Sequence, residues 1–113
     1  MTCRVIIHDE ALHDIERNAR WWAENHSPTE AARWYEAAFE AIYKLDRFPE
    51  SHSFAFESDD FPFEIRELHF GLGSRPSYRA VFTVEGDTVH VLTVRRASQD
   101  TLRPNELDYD AEL

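Results

Sequence analysis

The sequence predicts an α+β fold: a small antiparallel sheet in the element order β-α-α-β-β-β, with an αα-hairpin packed on one face. Three observations predict it. Two consecutive segments repeat apolar residues at helical spacing with a break of only two or three residues between them, as an antiparallel helix pair requires. Three later runs alternate apolar and polar residues and are separated by turn residues, as hairpin strands do. The helices and those strands are segregated along the chain, which suits two layers around one core.

The first element is a short strand from Thr2 to Ile7, with Cys3, Val5 and Ile7 on one face. From about Asp9 to Asn25, Leu12, Ile15, Ala19 and Trp22 line one side of a helix. Asp9 and Glu10 fall in its first turn, where acids suit the positive helix end. Ser27-Pro28-Thr29-Glu30 has the form of a capping box with proline at the first helical position. Ala31, Tyr35, Ala38, Ile42 and Leu45 then recur at helical spacing until Arg47-Phe48-Pro49, where proline disfavours helical geometry in the residue before it. These helical residues are expected to pack on Val81, Val91 and their sheet neighbours.

Residues 51–63 read as a long loop whose phenylalanines, at 54, 56, 61 and 63, tuck onto the core. Strands follow at about Glu64–Phe70, Ser77–Val84 and Thr88–Arg96, the last two joined by the tight turn Glu85-Gly86-Asp87. Residues 1–98 make the expected domain. Residues 99–113 read as a polar, acidic tail.

At 113 residues a single domain is expected. No apolar run approaches the ~20 residues of a membrane span, and the N-terminus lacks a secretory core, so a cytoplasmic setting is expected. The lone Cys3 excludes an intramolecular disulfide and a multi-cysteine metal knuckle. His8 and His13 are five apart and do not share a helical ligand face, so no metal or cofactor is expected. Charge is unevenly placed. Residues 65–96 hold five arginines against three acids, a net of +2; the rest holds seven Lys/Arg against nineteen Asp/Glu, a net of −12. Coating of nucleic acid without specificity is disfavoured for such a body, and a basic partner suits it.

Several phrases, in order, resemble the RelE/ParE superfamily of type II toxin–antitoxin toxins, the plasmid stabilisation proteins. They are Val5-Ile6-Ile7 with Asp9-Glu10-Ala11-Leu12; Ser27 to Arg33; Ala41 to Pro49; Ile65-Arg66-Glu67-Leu68; Tyr78-Arg79-Ala80-Val81-Phe82; and Val89 to Arg96. The resemblance spans roughly residues 3–98. It implies a toxin neutralised by a cognate antitoxin. ParE-like members inhibit DNA gyrase; RelE-like members cleave mRNA on the ribosome without a metal. A toxin-fold protein that has lost toxicity and only binds a partner is a third possibility, and the net charge of −10 suits it. The chain has one lysine, Lys44, where RelE-like nucleases carry several in their second strand, and no Tyr or His in residues 97–102. Gyrase inhibition is therefore the favoured activity.

The resemblance marks Arg79, Arg95, Arg96 and Arg66 as the candidate site. If the chain cleaves RNA, these arginines would stabilise the phosphorane and the base would be His69 or His90. The structural alternative for Arg79 is an ion pair with a helix acid, and for each histidine a place in the sheet. Arg95 and Arg96 are adjacent on a strand, so only one can belong to a given sheet face. Trp21, Trp22 and Trp34 are expected in the core, with Trp21 or Trp22 partly exposed because ~100° separates neighbours on a helix.

Overall fold

A computed structural model describes residues 2–73, 76–98 and 102–107. Strand β1 (Arg4–Ile7) leads into helix α1 (Asp9–Asn25) and helix α2 (Pro28–Tyr43); strands β2 (Arg66–Phe70), β3 (Tyr78–Glu85) and β4 (Thr88–Arg96) follow. The order along the chain is the expected one. The Ser27 hydroxyl accepts the Glu30 N–H at 3.1 Å, and Pro28 opens α2. The α-helix stops at Tyr43, short of Arg47, and tightens into a 3₁₀ turn over Lys44–Asp46.

The sheet runs β1-β4-β3-β2. β2, β3 and β4 pair antiparallel, as hairpins must. Gly86, with φ 63°, makes the tight β3–β4 turn. β1 departs from the antiparallel pattern: it pairs parallel to β4, from Arg4 opposite Thr88 to Ile7 opposite Val91. A parallel pair needs a crossover connection, and the helical hairpin supplies it.

β4 has one residue more than its pairing with β3 can use. Phe82 faces Val91 and Val81 faces Thr93, so Leu92 is a bulge. β1 ends opposite Val91, and beyond it Asp14 of α1 takes over the strand edge. Its Oδ2 accepts the Val94 N–H at 3.0 Å and the Thr93 hydroxyl at 2.5 Å. Asp14 is buried among the apolar row of α1, beside Ala11 and Ile15. It holds helix to sheet by satisfying a backbone donor that no strand reaches.

Side chains alternate across β3, and each face has its own core. Toward the helices, Ala80, Phe82 and Val91 pack with Ile15, Trp34 and Ile42. On the far face, Val81, Leu92 and Ile65 pack with Ala55, Phe61 and Leu102. Three sequence expectations change here. Val81 lies on the far face, away from the helices. Tyr35 is 41% exposed, because the row that buries is Trp34, Ala38 and Ile42, led by the larger indole. Trp21 is partly exposed, while the Trp22 Nε1 donates to the Tyr78 hydroxyl at 3.2 Å. Of the loop phenylalanines, Phe61 is buried and Phe63 half-buried, whereas Phe54 and Phe56 stand out at 47% and 69% exposure. The described tail residues, 102–107, pack back through Leu102 and Leu107; residues 99–101 and 108–113 of the expected tail lie outside the described residues.

Ile42 is fully buried. Ile42→Ala should therefore lower stability by about 2–5 kcal/mol, and Tyr35→Ala by no more than about 0.5 kcal/mol. Urea unfolding of the two variants checks the pair.

Candidate functional site

The far face of the sheet gathers most of the residues the sequence singled out. In the ladders, His69 lies opposite Arg79, and Arg79 opposite Arg95. Directly paired residues share a face, so these three stand together with Glu67, two positions from His69. This face is covered over Arg79, while His69 at its β2 edge stays exposed. The loop from 54 to 65 lies against it, with the 102–107 segment beside the loop.

Arg79 is the centre of the arrangement. It is 1% exposed in the middle of an apolar strand, so its charge needs a buried counter-charge. Glu57, equally buried, supplies it through two parallel bonds: Nη1 donates to Oε1 at 2.8 Å and Nη2 to Oε2 at 2.5 Å. Nη1 also donates to Glu67 Oε2 at 2.9 Å. Glu57 Oε2 accepts the Leu102 N–H at 2.9 Å as well. One carboxylate thus joins the loop, the sheet and the C-terminal segment. The ion pair exists, but with a loop acid and a strand acid, not with the helix acid the sequence suggested.

The charges respond as this geometry requires. Burial pushes the Glu57 carboxyl up, but the Arg79 hydrogen bonds, the Leu102 N–H and the Arg79 charge outweigh it and hold the group below its ordinary value. Its bonds to Glu57 raise Arg79 against the opposing effect of burial, and Glu67 raises it further.

The other three arginines are placed differently. Arg95 shares the far face and reaches Glu106 Oε2 at 3.2 Å. Arg96 points to the helix side, its guanidinium 4.2 Å from the Trp21 ring centre. The pair therefore splits across the sheet, as alternation demands. Arg66 sits at the β2 edge, where Nη1 donates to the His52 carbonyl at 2.6 Å and the guanidinium lies 4.1 Å from the Phe54 ring centre. Burial first, and then the Arg66 charge, hold the His52 imidazole below its ordinary value. The structure brings together Arg79 and Arg95; it does not bring Arg66 or Arg96 to them.

The two candidate bases also differ. His69 is about half exposed, with Nε2 3.2 Å from Glu67 Oε1. His90 is buried, and its Nδ1 lies 2.9 Å from Nε2 of His8. A ring nitrogen already shared with another imidazole is poorly placed to take a proton from a substrate. Among the described residues, no three His, Cys, Asp or Glu side chains converge as a metal would need.

Sequence reasoning missed Glu57, Asp14 and His8. Glu57 left a faint signal: one acid among the phenylalanines of Phe54-Ala55-Phe56-Glu57, and one arginine in the apolar strand Tyr78-Arg79-Ala80-Val81-Phe82. Each charge is improbable where it stands unless it meets the other.

Breaking this pair should be severe: Glu57→Gln should destabilise by about 3–5 kcal/mol, since it leaves Arg79 short of its counter-charge. The wild type should show a pH signature. Because the folded carboxyl titrates below its unfolded value of about 4.3, its contribution is complete above that pH and is lost as pH falls through the folded value. Urea midpoints measured from neutral to acidic pH should fall more steeply for wild type than for Glu57→Gln.

The family model for the ParE toxin of the type II toxin–antitoxin system, parDE, matches residues 5–101. No curated protein gives a significant match. Among solved structures, a chromosomal ParDE toxin–antitoxin system from P. aeruginosa aligns with a TM-score of 0.69 at 18% identity, covering 84% of this chain and 96% of that one. At that identity the likeness speaks for the fold, while the family match spans most of the chain. Together with the β-α-α-β-β-β order, it places this chain in the ParE toxin family of type II toxin–antitoxin systems.

Proposed function

We propose that this toxin acts in the cytoplasm by inhibiting DNA gyrase and is silenced by a cognate antitoxin. The observation that carries the choice of target is the state of Arg79. Both of its Nη groups are held by carboxylates beneath a covered sheet face. A phosphorane stabiliser must present its donors where charge develops. For Arg79 to do so, the buried Glu57 and the part-buried Glu67 would both have to leave, setting two acids beside a phosphate. His90 is occupied by His8, and the chain's one lysine, Lys44, is on the helix side at the end of α2. Inhibition by docking on a protein needs no such bond-breaking set.

A ribosome-dependent nuclease is the second reading, favoured by one observation: His69 is exposed, next to Glu67 and opposite Arg79. A non-toxic binding protein is the third, favoured by the net charge of −10.

Expression of the chain without the product of its neighbouring gene, followed by pulse labelling of DNA and protein synthesis, separates the three. The expected result is growth arrest with failing DNA synthesis, intact mRNA, and loss of supercoiling when purified gyrase is mixed with the purified chain. His69→Ala should leave that arrest unchanged. Cleaved mRNA with normal supercoiling overturns the proposal; in that case His69→Ala should slow cleavage about 10²–10⁴-fold. Harmless expression overturns both toxic readings.

A further inference from the structure

The Arg79 pair accounts for Glu57 but leaves the rest of its loop unexplained. Residues 54–64 read F-A-F-E-S-D-D-F-P-F-E: four phenylalanines, four acids and no base. Asp59, Asp60 and Glu64 are exposed, and among the described residues none of them has an ion pair. Asp59 and Glu64 line a pocket of about 600 Å³ whose walls include Phe54, Phe56, Phe61 and Phe63.

The walls are held in place by the backbone. Ala55 N–H donates to the Ile65 carbonyl at 2.9 Å, and the Ser58 hydroxyl accepts the Ile65 N–H at 3.0 Å. Phe61 anchors the loop in the far core. The exposed rings of Phe54 and Phe56 are therefore presented on a fixed frame.

Rings and carboxylates around one space select their ligand. An anion is repelled by Asp59 and Glu64. A neutral apolar group would strip water from them without pairing them. A guanidinium satisfies both: its plane stacks on a ring while its N–H edge meets a carboxylate. The same rings already take this contact from inside the chain, with Arg66 4.1 Å from the Phe54 centre and Arg79 5.4 Å from the Phe56 centre. The volume falls in the range of ligand pockets, about 300–1,000 Å³, and leaves room for the backbone flanking a side chain. The overall charge of −10 draws a basic polypeptide toward it.

We propose that this pocket takes an arginine side chain presented by a basic segment of the antitoxin. The chemistry of the pocket stands on its geometry; the source of the arginine rests on the toxin–antitoxin reading.

The test uses the full chain, labelled with ¹⁵N, and a short capped peptide with one arginine between leucines. Titration should shift the amides of residues 54–64 saturably. Replacing the arginine by citrulline, or pairing Asp59→Asn with Glu64→Gln, should weaken binding at least about tenfold, the equivalent of one unit of pKa in free energy. Phe56→Ala, at an exposed ring, should weaken it similarly while the spectrum keeps its dispersion. Equal binding of arginine and citrulline peptides overturns the proposal, as does equal binding of a lysine peptide or shifts confined to other segments. In the second arm, the product of the neighbouring gene is bound to wild type and to the double variant. Unchanged affinity overturns the proposal and leaves the antitoxin reading standing. No binding to wild type overturns the antitoxin reading, while the peptide titration still decides what the pocket accepts.

Discussion

The bidentate pair between Arg79 and Glu57 is the interaction on which the rest of this structure depends. It ties residues 22 apart in the chain, and through the Leu102 N–H it reaches a segment 45 residues beyond Glu57. Neither charge is tolerable alone at 1% exposure. A hydrophobic pair of the same volume would hold the strand to the loop at no desolvation penalty. It would not select one arrangement, because apolar surfaces pack in many registers, whereas a fork of N–H groups meets a carboxylate in few. The far face needs that selection. Its cover is made of loop and 3₁₀ turns, which have no ladder of their own to fix them.

The two faces of the sheet are thus closed by different means. On one, helices bring continuous apolar rows, and a buried carboxylate, Asp14, aligns α1 with the open edge of β4. On the other, short irregular segments carry a small core around a charged centre. The acids of the loop divide accordingly. Glu57 turns in and spends its charge on folding; Asp59 and Glu64 face solvent, where charge is free to act on a partner.

The sequence disclosed the elements and hid the pairing of their charges. Periodicity marked both helices and the three hairpin strands, because burial on one side leaves a regular trace. It misassigned Tyr35, since Trp34 and Tyr35 are both large and only packing decides which indole or phenol turns inward. The parallel partner of β1 was not legible, for four residues carry no mark of which edge they join. The arginines were found by type, but their roles depended on distant acids. Glu57 is separated from Arg79 by a strand and a turn, and nothing local announces that they meet. Under the nuclease alternative Arg79 would meet a phosphate; in the fold its Nη groups meet the carboxylates of Glu57 and Glu67.

The bulge at Leu92 has a bearing on how relatives of this chain are read. Before it, Val89 and Val91 face the helices; after it, Val94 and Arg96 do, so odd and even numbers exchange sides within one strand. Arg95 stands beside Arg79 only because of that single extra residue. In a homologue whose last strand lacks it, the arginine occupying the sheet's far side would be the other member of the pair. An ungapped comparison of the two chains would then match residues of identical type and opposite orientation, and conservation counted column by column would merge two different jobs.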